Sequence, residues 1–263
     1  MTGSLGAREI KRAGNMTRDN LKNSERDLHR LFRSLRLALP IRFSAFRFGL
    51  LYIHYLSLTA WFRYLLDNQS EFLLGGFKAG SYNAQMLLQS FWDAFKVDHH
   101  DHWVYEQPHL DFRKLTPFYV HLDEGTGLRK SGVMVYNMQL VWGQDAAKKF
   151  SEIFKENPGR SDREVMSYML QAQTHNQKGS TYITRYLFTI LPKRWYTKKF
   201  AKVYDIVLET LTREIRSLAS EGLPGFPGWH FMCLGVKGDA PALAKAGHLN
   251  RSFLTLNCKW GDL

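Results

Sequence analysis

At residue 116 the hydrophobic pattern changes period, and this constrains the fold more than any other feature of the chain. After Pro117, the short apolar run Phe118-Tyr119-Val120-His121-Leu122 ends in Asp123-Glu124-Gly125. Turn-forming residues fill Gly125 to Lys130, and Val133 to Val141 is again rich in β-branched and aromatic side chains. Both runs read as strands. A polar segment with a helix over roughly 160–173 follows, and then a third strand from Thr181 to Leu191, stopped by Pro192.

Residues 198–220 carry the clearest helical spacing of the chain. Phe200, Val203, Val207, Leu211, Ile215 and Leu218 recur three or four residues apart, and a Gly/Pro cluster from Gly222 to Gly228 ends the run. Trp229 to Val236 is a buried-type strand leading into Lys237-Gly238-Asp239, and Ala240 to Gly247 reads as a short helix. The order strand-strand-strand-helix-strand-helix predicts an α/β domain with a mixed sheet, its third and fourth strands joined by a crossover helix.

Upstream the pattern is helical. Residues 1–25 read as a basic, flexible tail and 26–97 as a helical region. The tail and the Arg-rich stretch to Arg36 together hold nine Lys and Arg against four Asp and Glu. Residues 44–67 read as a hydrophobic helix, Gly75, Gly76 and Gly80 as a loop, and Ser81 as the cap of a helix through Met86, Leu87, Phe91, Trp92 and Phe95. Residues 98–113 form a His-rich linker before the sheet.

In a sheet where the first strand neighbours the fourth, Asp123 and Asp239 end adjacent strands. Two carboxylates in one cleft suit Mg²⁺, which binds one or two carboxylates and keeps waters for a phosphate substrate. Two such ions ~4 Å apart can drive phosphodiester cleavage, and Glu124 is an auxiliary candidate ligand. Ordinary chemistry also accounts for these residues: Asp123-Glu124-Gly125 suits a turn, and Asp239 before Ala240-Pro241 suits a helix N-cap.

The strand order and the two aspartates resemble the ribonuclease-H-like core of DDE transposases and retroviral-type integrases. Phe91-Trp92, the His-rich stretch, Pro117 to Asp123, and Leu234 to Asp239 with Pro241 also resemble multi-copy, transposon-like protein families of unicellular eukaryotes. The likeness covers roughly residues 80–257 and implies a ribonuclease-H-like domain over 114–263, with Asp123 and Asp239 as catalytic metal ligands. That fold completes its metal site with a third carboxylate on a later helix. No acidic residue lies between Asp239 and Asp262, so the triad is incomplete. A truncated or decayed copy with little catalysis is the expectation.

The formal charge of +12 favours a polyanionic partner. Lys193-Arg194-Trp195-Tyr196, with Lys198, Lys199, Lys202 and Lys237, interleaves cations with aromatics. Such a set can neutralise phosphates and stack bases, although Trp195 and Tyr196 would serve equally well packed inward. Nucleic acid, DNA foremost, is therefore the expected partner, with self-association left open. The rivals are a non-catalytic scaffold and a membrane-peripheral protein using Leu50–Leu66 as an interfacial helix.

Asp98, His99, His100, Asp101, His102, His109 and Asp111 are dense in metal-ligating types but match no common zinc spacing, and a polar linker explains them. Gly235-Val236-Lys237-Gly238 lacks the spacing of a nucleoside-triphosphate loop. Leu50–Leu66, broken by His54 and Arg63, is too short and too polar to span a membrane. Two cysteines and no apolar leader predict an intracellular, reducing location, nuclear if DNA is the partner.

Overall fold

The sheet is mixed and four-stranded. The computed structural model describes residues 39–126, 132–143, 145–172, 185–196, 201–238, 242–243 and 246–247. The chain divides into two units, Met1–Arg42 and Phe43–Leu263, and every element below belongs to the second. The expected tail over 1–25 and the part of the expected 26–97 helical region up to 38 lie outside the described residues, as does the end of the chain from 248.

Residues 44–67 depart from the expected helix. Ser44–Phe48 (β1) and Leu51–Tyr55 (β2) pair antiparallel as a hairpin, and only Leu58–Asn68 (α1) is helical. The physical reason is Gly49. With Phe48 opposite Leu51, the two-residue turn Gly49-Leu50 needs a positive φ, which Gly49 supplies at 59°. Arg47 Nε donates to Gly49 O at 2.8 Å and locks the turn. Successive residues of both strands then alternate between covered and exposed, a period of two that a count of apolar residues alone misses.

Ser57 caps α1, accepting from Ala60 N, and Leu58, Trp61, Phe62, Leu65 and Leu66 form its buried stripe. Ser70–Leu73 (α2) is a single turn. The expected glycine loop follows, and Ser81 caps Tyr82–Asp98 (α3) as its spacing predicts, accepting from Ala84 N. The His-rich segment contains a short 3-10 turn, Trp103–Glu106. It is more than a polar connector: Val104 and Leu110 are buried in a cluster with Trp92, Leu115 and Met232.

Leu115–Thr126 (β3), Gly132–Leu140 (β4), Arg185–Pro192 (β5) and His230–Gly238 (β6) make the sheet, in the order β5-β4-β3-β6. β3, β4 and β5 form an antiparallel meander, and β6 runs parallel to β3. Pro117 is tolerated inside β3 because it faces Met232 of β6 but precedes the β3–β4 ladder, which begins at Phe118↔Leu140. Ala146–Glu156 (α4) and Asp162–Ala172 (α5) link β4 towards β5. Ala201–Ser220 (α6) links β5 to β6 as the expected crossover helix. The expected helix over 160–173 is α5; α4 was not anticipated from the sequence.

Helices cover both faces of the sheet. On one face Phe62 of α1 stacks on Phe231 at 3.8 Å and meets Phe118 edge-on at 5.3 Å, while Tyr204 of α6 lies 6.0 Å from Tyr136. On the other, Trp92 of α3 donates its indole N–H to Leu115 O at 2.8 Å. The free side of β5 is occupied: Leu56 N donates to Phe188 O at 2.8 Å and Trp61 Nε1 to Leu187 O at 2.7 Å. An edge strand is thereby shielded from pairing with other chains. Because α1 buries its apolar stripe in this core, residues 50–66 do not form the interfacial helix of the membrane-peripheral expectation. Among the described residues no helix is long and apolar enough to cross a membrane.

Candidate nucleic-acid interface

The carboxyl ends of β3, β5 and β6 lie at one edge of the sheet. Leu122↔Gly238 is the last pair of the β3–β6 ladder, and Val133↔Pro192 brings the end of β5 alongside the start of β4. This edge therefore collects Asp123, Glu124, Lys193, Arg194, Trp195 and Lys237. Asp239, Lys198 and Lys199 lie outside the described residues, so the expected meeting of Asp123 with Asp239 stands only on the register of the residues before them.

Asp123 does not end its strand. β3 continues to Thr126, and Asp123 faces Val135 inside the β3–β4 ladder with its side chain exposed. The β-rich residues of β4 extend the pairing past the Asp-Glu-Gly that reads as a turn. Gly238 is required at the crossing, because a Cβ there would stand 2.5 Å from Leu122 O.

Glu124 lies on the opposite face of β3 from Asp123. Successive strand residues point to opposite faces, and Glu124 Oε1 is engaged by Lys193 Nζ at 2.8 Å and Tyr196 O–H at 3.2 Å. Tyr196 is 2% exposed, so its ring is unavailable to stack on a base. It belongs to a tyrosine cluster with Tyr204 and Tyr136, and the pKa of Tyr136 is displaced strongly upward, first by burial and then by Tyr204. Sequence reasoning missed this cluster, since its three members come from separate elements.

The cations at the edge are presented differently. Arg194 is exposed and its guanidinium lies 5.9 Å from the centre of the Trp195 ring, which keeps a cation and an aromatic surface side by side. Lys202, at the start of α6, is exposed. Lys237 folds over the Tyr119 ring at 3.8 Å, and its pKa is lowered, chiefly by burial and then by Arg185. Residues 235–238 belong to β6 rather than to a loop.

Among the described residues no three His, Cys, Asp or Glu side chains converge as a metal-binding group. In the His-rich segment His99 packs on Phe95 at 4.3 Å, His102 caps the 3-10 turn through Nδ1, and Asp111 is bound by Arg113 at 3.0 Å. Lys148 and Lys149 on α4 pair with Glu152 and Asp145.

Searches against protein-family models, curated proteins and solved structures gave no match to this chain.

Proposed function

We propose that this chain is a mobile-element-derived nucleic-acid-binding protein, with DNA as its partner, whose α/β domain is a ribonuclease-H-like core with an incomplete carboxylate site. The observation that carries the reading is the β3–β6 register. An antiparallel meander whose first strand takes a parallel fourth strand through a crossover helix is the order expected of that fold, and Leu122↔Gly238 aligns the strand positions preceding Asp123 and Asp239. Open α/β sheets bind ligands beyond the carboxyl ends of their strands. Here that edge carries Arg194, Trp195, Lys193 and Lys237.

Among the described residues at this end of the sheet, Asp123 offers an exposed carboxylate and Glu124 is held on the other face by Lys193 and Tyr196, while Asp239 lies outside them. A two-metal phosphodiester mechanism needs a further carboxylate beyond Asp123 and Asp239, and no acidic residue lies between Asp239 and Asp262. Binding without efficient cleavage is the better-supported form of the function, and it overlaps with the scaffolding reading.

The test is a titration of labelled single- and double-stranded DNA at several salt concentrations. Phosphate neutralisation predicts affinity that falls steeply with salt, and a shallower slope for the Arg194→Ala and Lys193→Ala variants. Salt-independent binding would remove the proposal. Mg²⁺-dependent nicking that survives Asp123→Asn would remove Asp123 as a metal ligand.

A further inference from the structure

The β1–β2 ribbon flanks the main sheet with one face anchored and the other uncovered. On the anchored side Ile53 is buried, Phe46 lies 6.0 Å from Tyr55, and Tyr55 packs on Phe188 of β5 at 5.2 Å. Leu56 N donates to Phe188 O and Thr189 Oγ1 to His54 O, each at 2.8 Å. These contacts run in opposite order along β2 and β5. The Gly49-Leu50 turn therefore projects the way β5 runs, towards the end of the sheet that carries Lys193 and Arg194.

The outer face presents Ala45 opposite His54 and Arg47 opposite Tyr52, all four exposed. The Arg47 guanidinium lies over the Tyr52 ring at 5.9 Å. Its Nε is committed to Gly49 O at 2.8 Å, while among the described residues Nη1 and Nη2 make no hydrogen bond. No Asp or Glu occurs from residue 43 to 66, so the ribbon carries positive charge only. Such a face fits an anionic partner that offers hydrogen-bond acceptors.

The placement of the side chains separates three anionic partners. A lipid surface is entered by apolar side chains gathered on one side. The exposed Phe43 and Leu50 instead stand at opposite ends of the ribbon, with roughly 17 Å of strand between Phe43 and the turn. A single nucleic-acid strand is held on a succession of exposed aromatic rings, and this face has Tyr52 alone, with Arg47 over it. The major groove of duplex DNA admits a two-stranded β-ribbon, and guanine O6 and N7 match two guanidinium nitrogens.

We propose that the β1–β2 ribbon enters the major groove of duplex DNA with its outer face to the bases, Arg47 on a guanine edge and the Lys193-Arg194 turn towards the flanking phosphates. The inference rests on the nucleic-acid-binding reading and adds to it the form of the partner and the element that reads it.

Fluorescence anisotropy of the full chain tests it, with one mixed sequence supplied as a DNA duplex, a DNA single strand and an RNA duplex. The DNA duplex should bind tightest, since the major groove of duplex RNA is too narrow for side chains to read. Arg47→Gln should weaken the DNA duplex at least about tenfold and the single strand less than about twofold. Leu50→Glu, which changes an exposed side chain and leaves the Arg47–Gly49 hydrogen bond in place, should do the same. Bound protein should shield guanine N7 from dimethyl sulfate, and Arg47→Gln should lose that protection. Duplex binding that both variants retain, N7 left open in the wild-type complex, or a single strand or RNA duplex bound as tightly as the DNA duplex overturns the ribbon's role and leaves the nucleic-acid reading standing. Failure of the wild type to bind any of the three overturns both. Loss of binding to phosphatidylserine vesicles in the two variants, with DNA binding unchanged, overturns the proposal in favour of a lipid surface.

Discussion

Glu124 Oε1 and Lys193 Nζ lie 2.8 Å apart across the end of the sheet, joining β3 to the turn after β5. The same oxygen accepts from the buried Tyr196 hydroxyl. The pair turns Glu124 away from the face that Asp123 occupies, and it makes two neighbouring carboxylates unequal in what they do for the fold.

That inequality is measurable. Glu124→Ala should destabilise the protein by about 1–3 kcal/mol, because it leaves a buried tyrosine hydroxyl and a cation without their partner. Asp123→Ala, at an exposed position, should stay within about 0.5 kcal/mol. Urea denaturation of both variants decides the matter, and a larger loss for Asp123 would contradict the assignment of faces.

Two glycines of β6 should respond oppositely to alanine. At Gly238 the new Cβ would meet Leu122 O at 2.5 Å, whereas nothing lies within 4 Å of one at Gly235. Gly238→Ala should cost about 1–3 kcal/mol by forcing β6 from β3, and Gly235→Ala should be nearly neutral. Thermal melts showing similar losses at both sites would count against the Leu122↔Gly238 register.

Glu214 of α6 acts on the start of α1, its Oε2 accepting from Leu58 N at 2.6 Å and Ser57 Oγ at 3.0 Å. Burial raises its pKa from an ordinary value near 4.5, against the lowering effect of these hydrogen bonds. A carboxyl raised in the folded state stabilises most below its unfolded pKa and loses that contribution as pH rises through the folded value. Stability measured upward from pH 4.5 should therefore decline through this group, and Glu214→Gln should remove that part of the decline. An identical pH profile for the variant would show that Glu214 does not titrate as described.

His102 should give the reverse dependence. Its Nδ1 accepts from Val104 N at 3.3 Å, which requires the neutral ring. Burial, then the neighbouring His99, lower its pKa below 6.5, with Asp101 opposing them. The contribution is complete above 6.5 and is lost as pH falls through the lowered folded value. Amide exchange at Val104 should quicken on acidification, and His102→Asn, an uncharged acceptor, should abolish the change. Equal acid sensitivity in the variant would exclude His102 as its source.

Much of the sheet was legible because its strands are long apolar runs punctuated by Gly and Pro. Pro192 closes β5, the Gly222–Gly228 cluster closes α6, and Ser81 caps α3, each through local backbone chemistry that acts wherever the residue stands. The hairpin at Ser44–Tyr55 was not legible as such. Its aromatic residues satisfy a helical count as well as a strand count, and its turn rests on one glycine. The length of β3 was misread for a related reason. Asp123, Glu124 and Gly125 are turn formers in isolation, yet Val135, Met134 and Val133 hold them in the ladder.

The sequence by itself determined the number and order of the strands that form the sheet, the crossover helix, and a basic, aromatic segment after β5. Periodicity and punctuation are local, so they survive without knowledge of what packs where. Only the tertiary structure decided which side each side chain serves. It set Asp123 on the exposed face and Glu124 against Lys193, turned Tyr196 inward while leaving Arg194 outside, and closed a cavity from residues as distant as Phe91 and Gln171. Those choices depend on strand register and on contacts between remote elements, which no run of neighbouring residues encodes.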